Sequence, residues 1–167
     1  LQAVEWYTNE SVRKALQAES TGDVANARLF GDKAIESDLK AQNLRNETVA
    51  AWQAAGKPAS AQATWHRAAD MAKERAVMLD KRIAPLRNQW LADSRNALPA
   101  EHEHEVLYLQ AVFLTAQQWA LVAGFYRSAA EPDYAQAAIK QLQTLLPPLQ
   151  RNNRLEALAA DPLLTGS

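Results

Sequence analysis

The sequence feature that most constrains the fold is a run of 21 residues without a charge, from Val106 to Tyr126. At a rise of about 1.5 Å per residue, a helix of this length matches the hydrocarbon core of a membrane, which is roughly 30 Å thick. Polar side chains lie near its middle, among them Gln110 and Gln118, and burying them in lipid would be costly. We therefore expect the central helix of a bundle, covered from several sides by other helices.

The composition extends this helical expectation to the whole chain of 167 residues. Alanine, leucine, glutamine, arginine and glutamate are abundant, only five residues are glycine, and β-branched residues are scattered singly. These are strong helix formers, so we predict one all-α domain over residues 1–167, built as an antiparallel bundle or an array of helical hairpins with about five to seven helices. Within this domain we expect residues 1–97 to form the N-terminal helices. Residues 98–149 should form a C-terminal repeat-like hairpin, and residues 150–167 should form a tail.

The charges exclude some classes of partner. Eighteen basic and 19 acidic residues are mixed along the chain, which gives a formal net charge of -1. Such a chain has no basic field to attract nucleic acid, and we expect membrane contact only through segments outside this sequence. The sequence contains no cysteine, which excludes disulfides, thiolate metal sites and a cysteine nucleophile within it.

The first two helices are predicted from apolar residues at helical spacing. In residues 3–19 such side chains recur near one face: Val4, Tyr7, Val12 and Leu16. A second pattern runs from Val24 to Ala55 and is long enough to leave room for a break near residues 43–48. Its apolar positions are Leu29, Ala34, Ile35, Leu39, Leu44, Val49 and Trp52. Gly56 and Pro58 end it, because glycine suits a C-terminal cap and proline cannot continue the ladder.

The third helix has the most regular pattern, an alternation of three and four residues between apolar positions. The seam consists of Trp65, Ala68, Ala72, Ala76, Leu79, Ile83, Leu86 and Trp90. Its alanines let a neighbouring backbone come close, and Pro85 should kink or break the helix. A hairpin within a bundle is the favoured interpretation, and a coiled-coil dimer is the alternative.

The C-terminal part is predicted to form a hairpin and a tail. Pro99 and the acids after it begin a helix, residues 130–133 form a turn, and a last amphipathic helix should end at Pro147 and Pro148. The tail carries one more short apolar pair, Leu155 and Leu158, and we expect its last residues to be loosely ordered.

One pair of residues hints at a metal site. Glu101 and His104 are three residues apart, so they share a helix face, and this spacing is half of what a carboxylate-bridged di-iron bundle uses. The remaining histidine outside this segment, His66, has no glutamate three residues before it. We therefore expect no metal and no cofactor, and interpret Glu101 and His104 as part of an acid-biased first helical turn.

The sequence contains no local catalytic signature. It lacks the phosphate-binding, dinucleotide-binding, nucleophile-elbow and zinc-protease motifs. Its paired acids have basic neighbours, as in exposed salt-bridged faces. We therefore expect a protein that is not an enzyme.

Two spacings in the sequence indicate a repeat. Gly22 and Gly56 are 34 residues apart, and each is followed at offsets of 5 and 12 by alanines: Ala27 and Ala34, then Ala61 and Ala68. Near the other end, one ordered set of aromatic, apolar, small and proline residues matches the order of a helical-repeat pattern: Trp119, Val122, Ala123, Tyr126, Ala135, Ile139 and Pro147. In residues 116–148, and more briefly in 22–36 and 56–69, the chain resembles tetratricopeptide-type helical-repeat proteins. For the chain as a whole we favour a non-repetitive antiparallel bundle with a repeat-like hairpin, and true repeats are the alternative.

The resemblance implies a concave groove that binds a peptide or a helix of another protein. Trp52, Trp119 and Tyr126 are then the candidates for the groove, although large aromatic residues at helical spacing are more often part of a core.

The leading functional hypothesis is a protein-binding or scaffold module, because catalytic motifs are absent and five tryptophans are available as interface anchors. The alternative is an extracytoplasmic sensing or ligand-binding domain of a membrane receptor or lipoprotein, since the sequence begins at Leu1 and has no cysteine. Both a cytoplasmic and a periplasmic location fit the sequence, and oligomeric state is left open.

Overall fold

The computed structural model describes residues 1–150, which form six helices and no strand. The helices are α1 (Gln2–Ser20), α2 (Val24–Ala54), α3 (Pro58–Asp80), α4 (Ile83–Arg95), α5 (Glu101–Ser128) and α6 (Pro132–Gln150). The all-α prediction is therefore confirmed. The predicted tail, including Leu155 and Leu158, lies outside the described residues.

The α1–α2 hairpin and the two helices α4 and α6 flank a central pair, α3 and α5. α3 and α5 pack along each other, α4 and α6 pack on α5, and the hairpin of α1 and α2 packs on α3. Side-chain contacts give the directions: Trp65 of α3 stacks on Phe125 of α5, and Arg82, just after α3, pairs with Glu19 of α1. α1 thus runs parallel to α3, whereas α2 and α5 run antiparallel to it.

The alanine-rich seam of α3 forms one side of the core, as the sequence predicts. Ala68, Ala72 and Ala76 have no exposed surface, so α5 can approach α3 closely. The core continues across α5 and α6 through side chains that include Val112, Trp119, Val122, Ile139, Leu142 and Leu149. α5 is long and apolar enough to cross a membrane by length and composition, and half of its most apolar 18-residue stretch is buried in the bundle.

The seam breaks where proline predicts a break. α3 ends at Asp80, and Pro85 lies in the first turn of α4, where its missing N–H leaves no helical hydrogen bond unmade. α2, in contrast, is continuous from Val24 to Ala54, so the break considered near residues 43–48 does not form.

Three sequence predictions about helices are wrong in detail. The buried face of α1 is polar, through Glu5, Thr8 and Asn9, while Tyr7 is exposed, because these polar groups bond to α2 and α3. On α2, Leu29, Ile35 and Leu39 are exposed, whereas Ala34 and Val49 of the predicted pattern are buried. The buried stripe also contains Ser37, Ala41 and Arg45. α6 continues through Pro147 and Pro148, because burial of Leu146 and Leu149 outweighs the lost backbone bonds.

Three of the turns share one geometry. Gly22, Gly56 and Ala130 have φ values of 76°, 66° and 59°, and each lies two residues before the first residue of the next helix. In each turn the following residue bonds back to a carbonyl five positions earlier, as in a Schellman cap. The spacing of Gly22 and Gly56 to their alanines therefore reflects one type of helix–turn–helix corner.

Candidate functional site

An open groove separates the α1–α2 hairpin from α5. Within residues 1–150, both elements pack on α3 but their backbones do not approach each other, and the space between them has a volume of about 870 Å³. Most of its lining comes from three helices: Val12, Ala15 and Leu16 of α1; Ala27, Gly31, Ala34 and Ile35 of α2; and Leu114, Gln117, Gln118, Leu121, Gly124, Phe125 and Ser128 of α5.

The α5 wall carries leucines at a seven-residue spacing. Leu107, Leu114 and Leu121 are 45%, 43% and 39% exposed, and the last two line the groove. Gln110 and Gln117 lie between them, so the face alternates steps of three and four residues. This is the spacing with which one helix packs along another, and no described helix covers it.

The opposite wall is built from small side chains. Ala27, Gly31 and Ala34 give α2 a flat surface toward the groove, bordered by the exposed Ile35. On α5, Gly124 and Ser128 continue the leucine face with small residues. A polypeptide backbone could therefore approach both walls closely in this part of the groove.

The two ends of the groove differ in charge. At one end Trp65 stacks on Phe125, with ring centroids 5.7 Å apart. At the other end Arg82 donates to Glu19 at 3.1 Å, and Arg82 is the one charged residue among the described groove residues. There the groove meets a second cavity of about 700 Å³, which shares Leu16 and Arg82 with it and adds further cations, Arg13 and Lys81.

Buried polar contacts hold the hairpin on α3. The carboxylate of Glu5 in α1 accepts hydrogen bonds from Arg45 of α2 at 3.4 Å and from Arg67 of α3 at 3.1 Å. Glu5 and Arg45 are almost completely buried, so each needs the other for charge compensation. The guanidinium of Arg45 also lies 4.6 Å from the ring centroid of Phe125, at the aromatic end of the groove.

A second buried set lies one to two turns further along. Asn9 of α1 accepts a hydrogen bond from Arg75 at 2.8 Å and donates to Glu74 at 2.8 Å, both in α3. Arg75 also pairs with Asp38 of α2 at 3.5 Å. Burial lowers the pKa of the Arg75 guanidinium, while the nearby Asp38 charge opposes that shift. These contacts fix the angle of the hairpin and thus the width of the groove.

A partly exposed histidine ties α3 to the turn before α6. His66 lies with Nδ1 2.6 Å from Glu131 and Nε2 3.2 Å from Asp70, and the Tyr126 hydroxyl donates to Asp70 at 2.7 Å. The hydrogen bond with Glu131 raises the pKa of His66, since only the protonated ring can donate from both nitrogens. Burial raises the pKa of the Tyr126 phenol, which stays a neutral donor.

The aromatic residues predicted to line a partner groove do not do so. Trp119 is 7% exposed and Tyr126 3% exposed, because both belong to the core between α3, α5 and α6. Trp52 is half-buried near the end of α2, where Lys57 lies 5.4 Å from its ring centroid, and it is not among the groove residues.

Glu101 and His104 both lie in the first turn of α5, and His104 has a partner on another helix. His104 hydrogen-bonds through Nδ1 to Asp93, a buried residue of α4 that also accepts from Gln89 at 3.1 Å. Across residues 1–150, no group of three or more histidine, aspartate and glutamate side chains is arranged to hold a metal ion. Glu101 lies at the start of α5, where an acid is favourable.

A larger space of about 1050 Å³ lies between α4, α5 and α6. Its wall includes Trp90, stacked on Tyr108, but also Pro147 and Pro148, next to the last described residue. We place the candidate site in the groove of α1, α2 and α5 instead, because none of its lining residues is close in sequence to the last described residue.

Comparison of the chain with protein-family models, with curated proteins and with solved structures finds no match. The groove therefore has to be interpreted from its own residues. Sequence reasoning overlooked Leu114, Leu121, Gly31 and Gly124, although the seven-residue spacing of the leucines is visible in the uncharged run. The polar contacts of Glu5 and Asn9 had no local signal, since their partners are 40 or more residues away.

Proposed function

We propose that this protein is a non-enzymatic binding module that takes up an amphipathic helix of another protein in the groove between the α1–α2 hairpin and α5. The observation that carries the proposal is the exposed leucine face of α5, which lies in an open groove with one charged residue among the described lining residues. Helix-in-groove recognition uses this arrangement, with apolar anchors at spacings of three and four residues.

The length of the lined wall matches a short helix. Leu114 and Ser128 are 14 residues apart on α5, which corresponds to about 21 Å at about 1.5 Å per residue. A partner helix of about four turns would cover this wall. Its contact face should be uncharged, because a charge buried against this lining would find no compensating group along most of the groove.

The proposal is tested by removing the apolar face without disturbing the core. Leu114→Glu/Leu121→Glu places two carboxylates in the groove at exposed positions, and Leu29→Glu/Leu39→Glu is the matched control on exposed α2 positions outside the groove. All three proteins are used as bait in native extract, after circular dichroism shows equal helicity. A captured protein is then reduced to its helical segment, and its affinity is measured by calorimetry.

We expect capture by the wild type and by the control, and at least about a 100-fold loss of affinity with the groove variant, since two leucine contacts are replaced by desolvated charges. Equal capture by all three baits would contradict the proposal.

A second candidate is a sensing domain for a small apolar ligand. The volume of about 870 Å³ lies in the range of small-molecule pockets, roughly 300–1,000 Å³. Native mass spectrometry of the purified chain distinguishes the two: a retained small molecule that the Leu114→Glu/Leu121→Glu variant loses would favour the sensing domain.

A further inference from the structure

Two glycines face the same groove from opposite walls. Gly31 lies inside α2 and Gly124 inside α5, and both line the groove. Neither has the positive φ that favours glycine at Gly22 and Gly56 in their turns. Glycine in a helix interior destabilises the helix relative to alanine, so a reason is needed for each.

The described residues supply no such reason. Apart from its chain neighbours and the backbone of its own helix, a Cβ atom added at Gly31 or at Gly124 would meet no heavy atom of residues 1–150 within 4 Å. Alanine would therefore fit both positions and would be the better helix former. The absence of a side chain matters only to something that approaches the groove from outside, and glycine allows a second backbone to come into direct contact.

The basic residues at one end of the groove determine which end of a bound helix lies there. Beyond Leu16 the groove opens into the second cavity, where Arg82 pairs with Glu19 and Lys81 lies next to them. Arg13 also lines this cavity, but its guanidinium is bound to Glu10. Lys81 forms no ion pair with any described residue, and Arg82 Nε is buried without a hydrogen-bond acceptor among them. Lys81 is therefore available at the surface to pair with a carboxylate of a ligand that occupies the groove.

We infer that the partner is a helix with small residues on its contact face, packed directly on Gly31 and Gly124, whose anionic end lies over Arg82 and Lys81. This inference rests on the proposed function and names the chemistry of its partner. The anionic end consists of glutamate or aspartate side chains, or of the free carbonyls and carboxylate at a helix C-terminus, both of which favour a basic site.

The test uses the full chain and peptides selected to bind it. An mRNA-display library of random 18-residue peptides is selected on the wild type and counter-selected on Leu114→Glu/Leu121→Glu, so that only groove-dependent peptides survive. The best peptide is then measured against Gly31→Ala, Gly124→Ala and Lys81→Glu. Ala137→Gly, at an exposed position of α6 away from the groove, is the matched control for changing glycine content.

We expect selected peptides with apolar and small residues at steps of three and four and with acids at one end. Each glycine-to-alanine variant should raise the midpoint of thermal unfolding by about 2–4 °C and yet weaken peptide binding by about tenfold or more. Lys81→Glu should weaken binding by about fivefold at low salt, and the difference should shrink in 0.5 M NaCl. Ala137→Gly should lower the unfolding midpoint and leave binding unchanged.

The outcomes separate this inference from the proposed function. If groove-dependent peptides appear but have no acidic end, or bind the glycine-to-alanine variants as tightly as the wild type, the helix-binding function stands and this inference is wrong. If no groove-dependent peptide survives the counter-selection, both are wrong. If the alanine variants are less stable than the wild type, the glycines are needed within the fold and the argument for close approach is lost.

Discussion

The guanidinium of Arg45 lies 4.6 Å from the ring centroid of Phe125 and bonds to the carboxylate of Glu5. One buried cation thus joins the polar interface of the α1–α2 hairpin to the aromatic end of the groove. The groove is therefore held open by contacts that are polar rather than apolar. Such contacts specify a geometry more than they add to stability.

Breaking this contact should be costly. Glu5→Gln leaves Arg45 charged, buried and without its acid, so we expect the free energy of unfolding to fall by about 3–5 kcal/mol. Urea denaturation followed by circular dichroism measures the change. Glu10→Gln is the matched control, because Glu10 pairs with Arg13 at the surface of the same helix, and this variant should be indistinguishable from the wild type. A Glu5→Gln protein as stable as the control would show that the buried pair is not formed.

Stability should depend on pH through His66. Its pKa is raised by the hydrogen bond to Glu131, so its contribution is complete below the unfolded-state pKa of about 6.5 and is lost as pH rises through the folded-state pKa. We expect the unfolding midpoint to fall as the pH rises above about 6.5, by a small amount because the side chain is 40% exposed. His66→Gln should remove most of this slope, whereas His102→Gln should keep it. A folded-state pKa at or below 6.5, measured by NMR titration, would contradict the assignment.

The alanine seam of α3 should not tolerate larger residues. Ala72 has no exposed surface and lies in the core shared with α5, so Ala72→Leu should destabilise the protein by about 1–3 kcal/mol through overpacking. Ala63→Leu, at an exposed position of the same helix, serves as the control and should change stability little. Thermal unfolding of both variants provides the comparison. Equal midpoints for the two would mean that α3 and α5 are not in close contact at Ala72.

Replacing alanine by glycine in two turns should stabilise the protein. Ala97 and Ala130 have φ values of 50° and 59°, where an L-residue with a Cβ is strained. Ala97→Gly and Ala130→Gly should each raise the free energy of unfolding by up to about 1 kcal/mol, and Gly56→Ala should lower it by a similar amount. Chemical denaturation checks the signs. A loss of stability in both alanine-to-glycine variants would be inconsistent with this turn geometry.

How far the sequence predicts this structure depends on whether a signal is local. The spacing of Ala68, Ala72 and Ala76 predicts the α3 seam, because one helix face carries the whole signal. The buried face of α1 could not be predicted, since Glu5 and Asn9 are buried only because arginines on α2 and α3 meet them. Charged side chains usually indicate solvent, and their pairing across 40 or more residues has no local pattern.

The residues of the candidate site could not be predicted from the sequence either, because burial depends on how the helices pack. Trp119 and Tyr126 are the types of residue that anchor interfaces, but in the structure both side chains are buried in the core. Leu114 and Leu121 belong to the same uncharged run, and the sequence does not reveal which face of α5 the bundle leaves uncovered. The resemblance to tetratricopeptide-type repeats stays a prediction, as does the partner it implies.

The most direct test of the account is photocrosslinking from inside the groove. The photoreactive residue p-benzoylphenylalanine replaces Leu121 in one protein and Leu39, an exposed position outside the groove, in another. Both are irradiated in native extract, and the adducts are mapped by mass spectrometry. We expect an adduct from position 121 and none of the same kind from position 39. The adduct should map to one helical segment of the partner, on a helix with an uncharged face. No adduct from position 121, or the same adducts from both positions, would contradict it.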